Sequence, residues 1–262
     1  MEIDGAHVLV TGASRGIGAG LARAFATAGG RVTVVARTAT AVEELAAETG
    51  GTALVADLAD AAGRAGLIAR VEEAAGPVDV LVNNAGIDVT GTLDDMDPAD
   101  LERLVAINVL APMELTRQVL PGMIDRGRGH VVNMSSLAGT AVLPGMVAYA
   151  ASKSALTHFT AGLRADLRGL PVGTTVVEVG LVPTDMRASV VAHPPTAAAF
   201  RRFYRLGLLT DTPLDRLCAH TVRAVADDRR HVRLPRRAWA FAALAEAPRR
   251  ITELTITGVR AR

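Results

Sequence analysis

Lysine, cysteine and aromatic residues are scarce in this sequence. Lys153 is the only lysine among 28 Lys and Arg residues. Cys218 is the only cysteine, so an intrachain disulfide is excluded, and this usage fits a reducing compartment. Aromatic residues make up 3% of the chain and hydrophobic residues 50%, so Ala, Val and Leu must fill most of a core. Side chains of this size suit buried parallel strands that helices cover closely.

Long apolar runs and a large net charge are also missing. No apolar stretch approaches the length that spans a bilayer, so no transmembrane segment is expected. The formal net charge of +1 gives no long-range reason to expect a nucleic-acid partner. The first predicted strand begins near His7, which leaves no room for a signal peptide. We therefore expect a cytoplasmic protein.

Short β-rich runs alternate with longer segments rich in Ala, Leu, Arg and Glu. The predicted strands are His7–Val10, Arg31–Ala36, Thr52–Ala56, Val78–Val82, His130–Asn133, Thr174–Val179 and a seventh at His231–Leu234. The predicted helices are Gly18–Ala28, Ala41–Thr49, Ala61–Ala75, Pro98–Arg126 (with Asp97 as its N-cap), Val147–Arg168 and Asp215–Ala226. This alternation predicts βαβ units, a parallel α/β sheet and one domain over residues 1–262. The ligand crevice is then expected at the carboxyl ends of the strands.

A glycine-rich turn follows the first predicted strand. Residues 11–18 read TGASRGIG, with glycines spaced G-x-x-x-G-x-G. Glycines let the backbone turn tightly and approach a pyrophosphate, which lies against the N-terminus of the next helix. Because a strand precedes this turn and a helix follows it, we interpret it as a dinucleotide site; the alternative is a simple turn.

Four further motifs fall along the same predicted edge of the sheet. They are Asn83-Asn84-Ala85-Gly86 after strand four, Asn108, Ser136, and Tyr149-x-x-x-Lys153. Together with the glycine turn, these motifs resemble the short-chain dehydrogenase/reductase family in order and spacing, over roughly residues 5–185. The resemblance implies a Rossmann-type doubly wound sheet of about seven strands in the order 3-2-1-4-5-6-7, with helices on both faces. It also implies a nicotinamide cofactor and the reduction of carbonyls or the oxidation of alcohols.

The choice between NADP(H) and NAD(H) can be argued from charge. An acidic residue at the end of strand two binds the ribose hydroxyl of NAD, whereas a basic residue accommodates the 2′-phosphate of NADP. Ala36 stands where the acid would be, Arg37 follows it, and Arg15 lies in the glycine turn. We therefore expect NADP(H) in preference to NAD(H). The alternative is that Arg37 starts a solvated loop and Arg15 caps the turn.

Other cofactor contacts are implied by the resemblance. Asp57 resembles the family's adenine-contacting Asp, although it could equally be a helix N-cap. After strand six, Val179 stands where the family usually has Pro, while Gly180 and Thr184 fit the pattern. The predicted cofactor-binding residues are Gly12, Ser14, Arg15, Gly16, Ile17, Gly18, Arg37, Asp57, Leu58, Asn84, Ala85, Gly86, Tyr149, Lys153, Gly180, Val182 and Thr184.

Tyr149 and Lys153 are the candidate proton-transfer pair. Residues four apart on a helix share a face, so the ammonium is expected to lower the pKa of the phenol from its usual value near 10. Lysine is a compact charge with rotatable donors, which explains why an arginine-rich chain would keep one lysine here. The resemblance implies that Ser136 hydrogen-bonds the substrate oxygen and that Asn108 supports a water relay. Ser135 is the alternative to Ser136.

The substrate is expected to be apolar. A lid over about residues 185–213 and loops on the same edge supply its contacts: Ile87, Val89, Leu137, Leu143, Met146, Val147, Val190, Val191, Phe200, Phe203, Tyr204, Leu206, Leu208 and Leu209. An alternative acidic ligand could be bound by Arg201, Arg202 and Arg205. The C-terminal extension, about residues 231–262, carries Trp239 and Phe241 between arginine pairs. We expect it to pack on the core or in a homo-oligomer, a dimer or tetramer; peripheral membrane contact is the alternative.

Other classes of function were weighed against this interpretation. A metal site is not expected, because the six histidines are scattered and Cys218 has no partner. Ser136 lies in NMSSLAG and not in the G-x-S-x-G elbow of a hydrolase. A redox-neutral epimerase or dehydratase on the same scaffold remains an alternative. So does a dinucleotide-binding sensor without turnover.

Overall fold

Seven parallel strands form a single sheet in the computed structural model. The model describes residues 1–141, 143–184, 192–207 and 209–235, with the single positions 244 and 247. The strands are β1 (His7–Thr11), β2 (Arg31–Ala36), β3 (Thr52–Val55), β4 (Val80–Asn83), β5 (Gly129–Ser136), β6 (Val172–Val179) and β7 (His231–Leu234). Their order is β3-β2-β1-β4-β5-β6-β7, and every neighbouring pair is parallel. The predicted sheet order, including the seventh strand, is confirmed.

Helices connect the strands in the described part of the chain. They are α1 (Gly16–Thr27), α2 (Ala39–Thr49), α3 (Ala61–Arg64), α4 (Leu67–Ala75), α5 (Pro98–Val105), α6 (Ala111–Asp125), α7 (Val147–Asp166), α8 (Pro194–Arg205) and α9 (Leu214–Ala226). Among these residues, no helix has both the length and the hydropathy of a membrane span. The bounds agree with the predicted helices to within about two residues at most ends, a scatter that is normal where helices fray.

Both faces of the sheet are covered by helices, so most of the strand residues are buried. Val8 and Val10 point to one face and join an apolar cluster with Phe25 of α1 and Leu217 of α9. Leu9 points to the other face and joins a second cluster with side chains of α4 and α6. Each fully buried side chain of this size contributes roughly 1.5–3 kcal/mol to folding. The core is therefore two apolar layers on either side of one sheet.

The long helical segment that carries Asn108 contains a π-turn. Asp97 caps α5, since its side chain accepts a hydrogen bond from the backbone N–H of Ala99 at 2.8 Å, as predicted. The segment continues through the π-turn Ala106–Leu110 into α6. Such turns widen the helix and often occur at functional sites. Here the π-turn places Asn108 in the interior, where it is 1% exposed.

Two sequence predictions need correction. The expected single helix Ala61–Ala75 is divided into α3 and α4, because Gly66 adopts φ +62°. The buried Arg64 guanidinium at the end of α3 donates to the carbonyls of Leu58 and Ala59. The fifth strand, predicted to end at Asn133, extends to Ser136. Parts of the predicted lid, residues 185–191 and 208, lie outside the described residues. So does most of the C-terminal extension beyond residue 235, including Trp239 and Phe241.

Candidate active site

A cleft of about 1130 Å³ opens at the carboxyl ends of the strands. It lies where β1 has β2 on one side and β4 on the other, the point at which strand order reverses. Ser136 lines the cleft. So do all the predicted cofactor-binding residues, which are Gly12, Ser14, Arg15, Gly16, Ile17, Gly18, Arg37, Asp57, Leu58, Asn84, Ala85, Gly86, Tyr149, Lys153, Gly180, Val182 and Thr184. The fold thus brings the predicted set together in one place.

The glycine turn is packed against the loop after β4. The Asn84 side-chain amide donates to the carbonyls of Thr11 at 2.9 Å and Gly12 at 3.1 Å. The Thr11 hydroxyl accepts from the backbone N–H groups of Asn84 and Ala85 at 3.0 and 3.1 Å. Asn84 therefore holds the turn in shape through its side chain, a structural role that the sequence alone did not assign.

The backbone at Gly12 leaves no room for a side chain. Its φ is +63°, and a Cβ there would lie 2.6 Å from the Ala85 Cα. We expect Gly12→Ala to lower the free energy of unfolding by well over the ~1–2 kcal/mol that a left-handed alanine costs, because backbone atoms must also move apart. Chemical denaturation measures the loss.

Gly50→Ala is the matched control for this prediction. Gly50 has the same φ of +63°, but a Cβ there would meet nothing within 4 Å. Gly50→Ala therefore measures the conformational cost alone. Equal losses in the two variants would contradict the close packing of the turn against Ala85.

Charged residues lie at the end of the cleft formed by β1, β2 and β3. Arg15 occupies the N-cap position of α1, and Arg37 follows the end of β2. An Arg37 guanidinium nitrogen lies 3.8 Å from a carboxylate oxygen of Asp57, in a pair whose side chains are 55% and 35% exposed. The other carboxylate oxygen of Asp57 accepts from the Ala59 N–H at 2.9 Å. Asp57 thus caps a turn, whereas the residue at the N-cap position of α3 is Asp60.

The chemical end of the cleft is formed by β5 and α7. Tyr149 and Lys153 are 7% and 5% exposed, and the Lys153 Nζ lies 5.8 Å from the centre of the Tyr149 ring. The Ser136 side chain lowers the pKa of the Tyr149 hydroxyl as a hydrogen-bonding group, and its own hydroxyl donates to the Val179 carbonyl at 3.3 Å. Ser135, the alternative serine, instead donates to the Lys153 carbonyl at 2.9 Å and bonds Thr157. Ser136 is therefore the serine next to the phenol.

Burial dominates the ionisation of this pair. Desolvation raises the pKa of Tyr149 to about 12, the Ser136 hydrogen bond lowers it, and the charge of Asp88 raises it. Desolvation also lowers the pKa of Lys153 to about 8, and its ammonium donates to the Met134 carbonyl at 2.9 Å. The expected lowering of the tyrosine pKa by lysine is not seen in this structure, because removing the phenol from water raises its pKa.

Asn108 lies behind the cleft and does not line it. Its amide oxygen accepts from the Ile87 N–H and its amide nitrogen donates to the Ile87 carbonyl, both at 2.9 Å. The amide nitrogen also donates to Ser152, which donates to the Tyr149 carbonyl. A Cβ on Gly86 would be 3.3 Å from both the Asn108 oxygen and the Lys153 Nζ. Asn108 thus fixes the loop after β4 against α7.

The remaining cleft wall is apolar. Side chains that sequence analysis assigned to the substrate do line it: Ile87, Leu137, Leu143, Met146, Phe200, Phe203 and Leu209. Val147 and Leu206 do not line it and are 54% and 61% exposed. Arg201, Arg202 and Arg205 lie on the exposed side of α8 and also do not line the cleft. Asp88 also lines the cleft and was not predicted, although it follows Gly86 by two residues.

Comparisons with known proteins agree with this geometry. The family model described as short chain dehydrogenase matches residues 6–195. The chain belongs to the short-chain dehydrogenase family. It is 37% identical over 185 residues to a ketoacyl reductase, HetN, of Nostoc sp., covering 69% of this chain and 64% of the relative. It is 37% identical over 195 residues to the oxidoreductase UcpA of Salmonella typhimurium, covering 72% and 74%.

Solved structures of the short-chain dehydrogenase family share the fold. A gluconate 5-dehydrogenase from Burkholderia cenocepacia, in complex with NADP and tartrate, has a TM-score of 0.79 at 28% identity and covers 88% of this chain and 94% of its own. A short-chain dehydrogenase from Sphingobium yanoikuyae, in complex with NADPH, has a TM-score of 0.80 at 28% identity and covers 98% of both chains. A member from Burkholderia phymatum, with a TM-score of 0.81 at 25% identity over 96% of both chains, is in complex with NAD. These three structures therefore have the same fold as this chain over most of their length.

The matched part of this chain spans less than two thirds of several curated relatives. It covers 64% of the Nostoc reductase and 62% of a bovine dehydrogenase/reductase family member 7B, to which it is 37% identical over 200 residues. The relatives and structures differ in substrate and in the cofactor they bind. Substrate and cofactor preference therefore have to be argued from the cleft itself.

Proposed function

We propose that this protein is an NADP(H)-dependent oxidoreductase that interconverts a ketone or aldehyde and an alcohol on an apolar substrate. The observation that carries the proposal is that one cleft is lined by Ser136, Tyr149 and Lys153, with the lysine one helical turn from the tyrosine. A buried phenol that keeps its proton can donate it to an oxygen on which charge develops.

The cleft residues fit a dinucleotide. The turn around Gly12 brings backbone rather than side chains to the cleft, and the N-terminus of α1 supplies N–H groups suited to a pyrophosphate. Thr184 lies against this turn, since a Cβ on Gly16 would be 3.4 Å from its methyl group. When bound, the nicotinamide supplies or accepts the hydride. The cofactor would be held along the carboxyl edge of the sheet by the glycine turn, Thr184 and Lys153.

The chain's own residues handle the proton. Ser136 and Tyr149 both line this end of the cleft, so both hydroxyls can donate to a carbonyl oxygen bound there. Tyr149 releases its proton to that oxygen during reduction, and takes it back during oxidation. Lys153 stabilises the resulting phenolate as a buried cation next to the ring. The apolar wall of the cleft excludes water from this step.

NADP(H) is favoured over NAD(H) by the two cations at the far end of the cleft. Arg15 and Arg37 line it together with a single carboxylate, Asp57. We expect Arg37→Asp to reverse the ratio of kcat/KM for NADPH and NADH, because a second carboxylate would face the 2′-phosphate. Steady-state kinetics with both cofactors measures the ratio. Arg216→Asp makes the same charge change on an exposed part of α9 and should leave the ratio as it is.

Turnover itself is tested by the loss of NADPH absorbance with a series of alkyl ketones and aldehydes. We expect kcat/KM to rise with alkyl length until the apolar end of the cleft is filled. If NADPH binds but is never consumed with any carbonyl compound, the protein is a non-catalytic binder or a redox-neutral enzyme, and this proposal is wrong.

A further inference from the structure

A tight turn just before α7 is the point at which three parts of the apolar cleft wall meet. Leu143 and Met146, on either side of this turn, belong to the same buried cluster as Tyr149. Phe200 of α8 belongs to that cluster as well, and Ile87 of the loop after β4 packs against it. All five side chains line the cleft. The shape of the wall next to the tyrosine therefore depends on how these segments are joined.

Backbone carbonyls of this turn bind both neighbouring segments. The Thr196 hydroxyl, on the first turn of α8, donates to the Pro144 carbonyl at 2.6 Å. The Gly91 N–H, on the loop after β4, donates to the Gly145 carbonyl at 3.0 Å. Thr196 is fully buried, so its hydroxyl joins α8 to the turn from the interior of the protein.

His193 extends this link by a second hydrogen bond. Its Nδ1 lies 2.7 Å from the Thr196 hydroxyl oxygen. A hydroxyl has one proton to donate, and Thr196 donates it to Pro144, so the His193 Nδ1 must carry a proton and donate to Thr196. Gly145 permits this close approach of α8. Its φ is +75°, and a Cβ there would lie 2.5 Å from the His193 Nδ1 and 2.7 Å from the Thr196 hydroxyl oxygen.

These hydrogen bonds fix the amino end of α8 before a ligand arrives. Phe200 and Phe203 follow Thr196 on the same helix by one and two turns, and both line the cleft. Side chains that are already in place lose little conformational freedom when a ligand binds, so the ligand gains more affinity from them. If α8 were in place for only part of the time, the apparent affinity would fall by that fraction.

We propose that Thr196 and His193 are positioning residues that hold α8 over the cleft, and that the protein consequently selects carbonyl compounds with an apolar part long enough to reach α8. A short ketone at Tyr149 makes few contacts with α8 and gains little from the link. A long ketone gains about three- to fourfold in affinity for each CH₂ that the fixed wall buries. The inference rests on the proposed reductase activity, and it defines the substrate class of that activity.

Thr196→Val tests the proposal, because valine keeps the branched shape and removes the hydroxyl. The substrates are 2-butanone and 2-nonanone, each with NADPH. We expect the KM for 2-nonanone to rise about tenfold, the effect of leaving a buried carbonyl without its donor. The kcat for 2-nonanone and the KM for 2-butanone should stay within about twofold of the wild type, since both depend on the Tyr149 end of the cleft. Thr196→Ser keeps the hydroxyl and should restore the low KM.

Thr221→Val is the matched control. Thr221 is equally buried, but its hydroxyl donates at 2.9 Å to the Leu217 carbonyl of its own helix, α9. The control should leave both KM values as they are. An unchanged KM for 2-nonanone in Thr196→Val would overturn the inference while leaving the proposed function standing. So would an equal loss of kcat with both ketones, which is the mark of a general structural role.

Hydrogen exchange of the full chain with NADP tests the link without turnover. Backbone amides of α8 should exchange at least about fivefold faster in Thr196→Val and in His193→Ala than in the wild type, because each change removes one hydrogen bond that holds the helix. Amides of α9 should keep their rate in both variants. Unchanged exchange of α8 would refute the link whether or not ketones are reduced. Faster exchange of α8, together with a wild type that reduces no ketone, would overturn the proposed function and the substrate class instead.

Discussion

Tyr149→Phe is expected to lower kcat for ketone reduction by about 10²–10⁴, the contribution of a positioned proton donor. The ring stays in its buried place, where Tyr149 is 7% exposed, and only its hydroxyl is lost. Because the hydroxyl lies at the chemical end, the Kd for NADPH should stay nearly unchanged. Stopped-flow turnover and fluorescence titration with NADPH measure the two quantities separately.

Tyr204→Phe serves as the matched control, since Tyr204 is the only other tyrosine in the sequence. Its hydroxyl donates to Asp211, and its side chain does not line the cleft. The control should retain most of the activity. If Tyr149→Phe lost NADPH binding and activity together, Tyr149 would be a structural residue and the proton-donor assignment would be wrong.

Lys153→Arg is expected to reduce kcat/KM by about 100-fold or more, although the positive charge is kept. The lysine is 5% exposed, and its ammonium fits between the Met134 carbonyl and the Tyr149 ring. A guanidinium is larger and planar, and it cannot occupy the same position without displacing its neighbours. Arg23→Lys makes the reverse exchange at a surface site, in the exposed ion pair with Glu48, and should leave kcat/KM almost unchanged.

The pH dependence gives a second readout for Lys153. Burial lowers its pKa to about 8, so the ammonium is present below that pH and is lost as the pH rises through it. The proton of Tyr149, with a pKa of about 12, stays in place over the same range. The kcat/KM for reduction, which reports the free enzyme, should therefore fall above about pH 8. The residual activity of Lys153→Arg should lack this decline, and a decline in both would assign it to another group.

Sequence by itself was sufficient for the sheet order, through the family resemblance, and for the cofactor residues that line the cleft. Alternating strands and helices allow one handedness of crossover, so every motif that follows a strand must reach the same edge. Residues as distant as Gly12, Tyr149 and Thr184 could be assigned to one cleft for this reason.

Only the tertiary structure decided the electrostatics of the site. The pKa of Tyr149 moves upward, opposite to the expectation from its spacing to Lys153, because desolvation depends on every atom that surrounds both groups. The charge of Asp88, which raises the pKa of Tyr149, and the hydrogen bonds between Asn108 and Ile87 also required the packed chain. Spacing along a helix shows which side chains share a face, whereas charge and solvent exclusion are set by contacts between elements far apart in sequence.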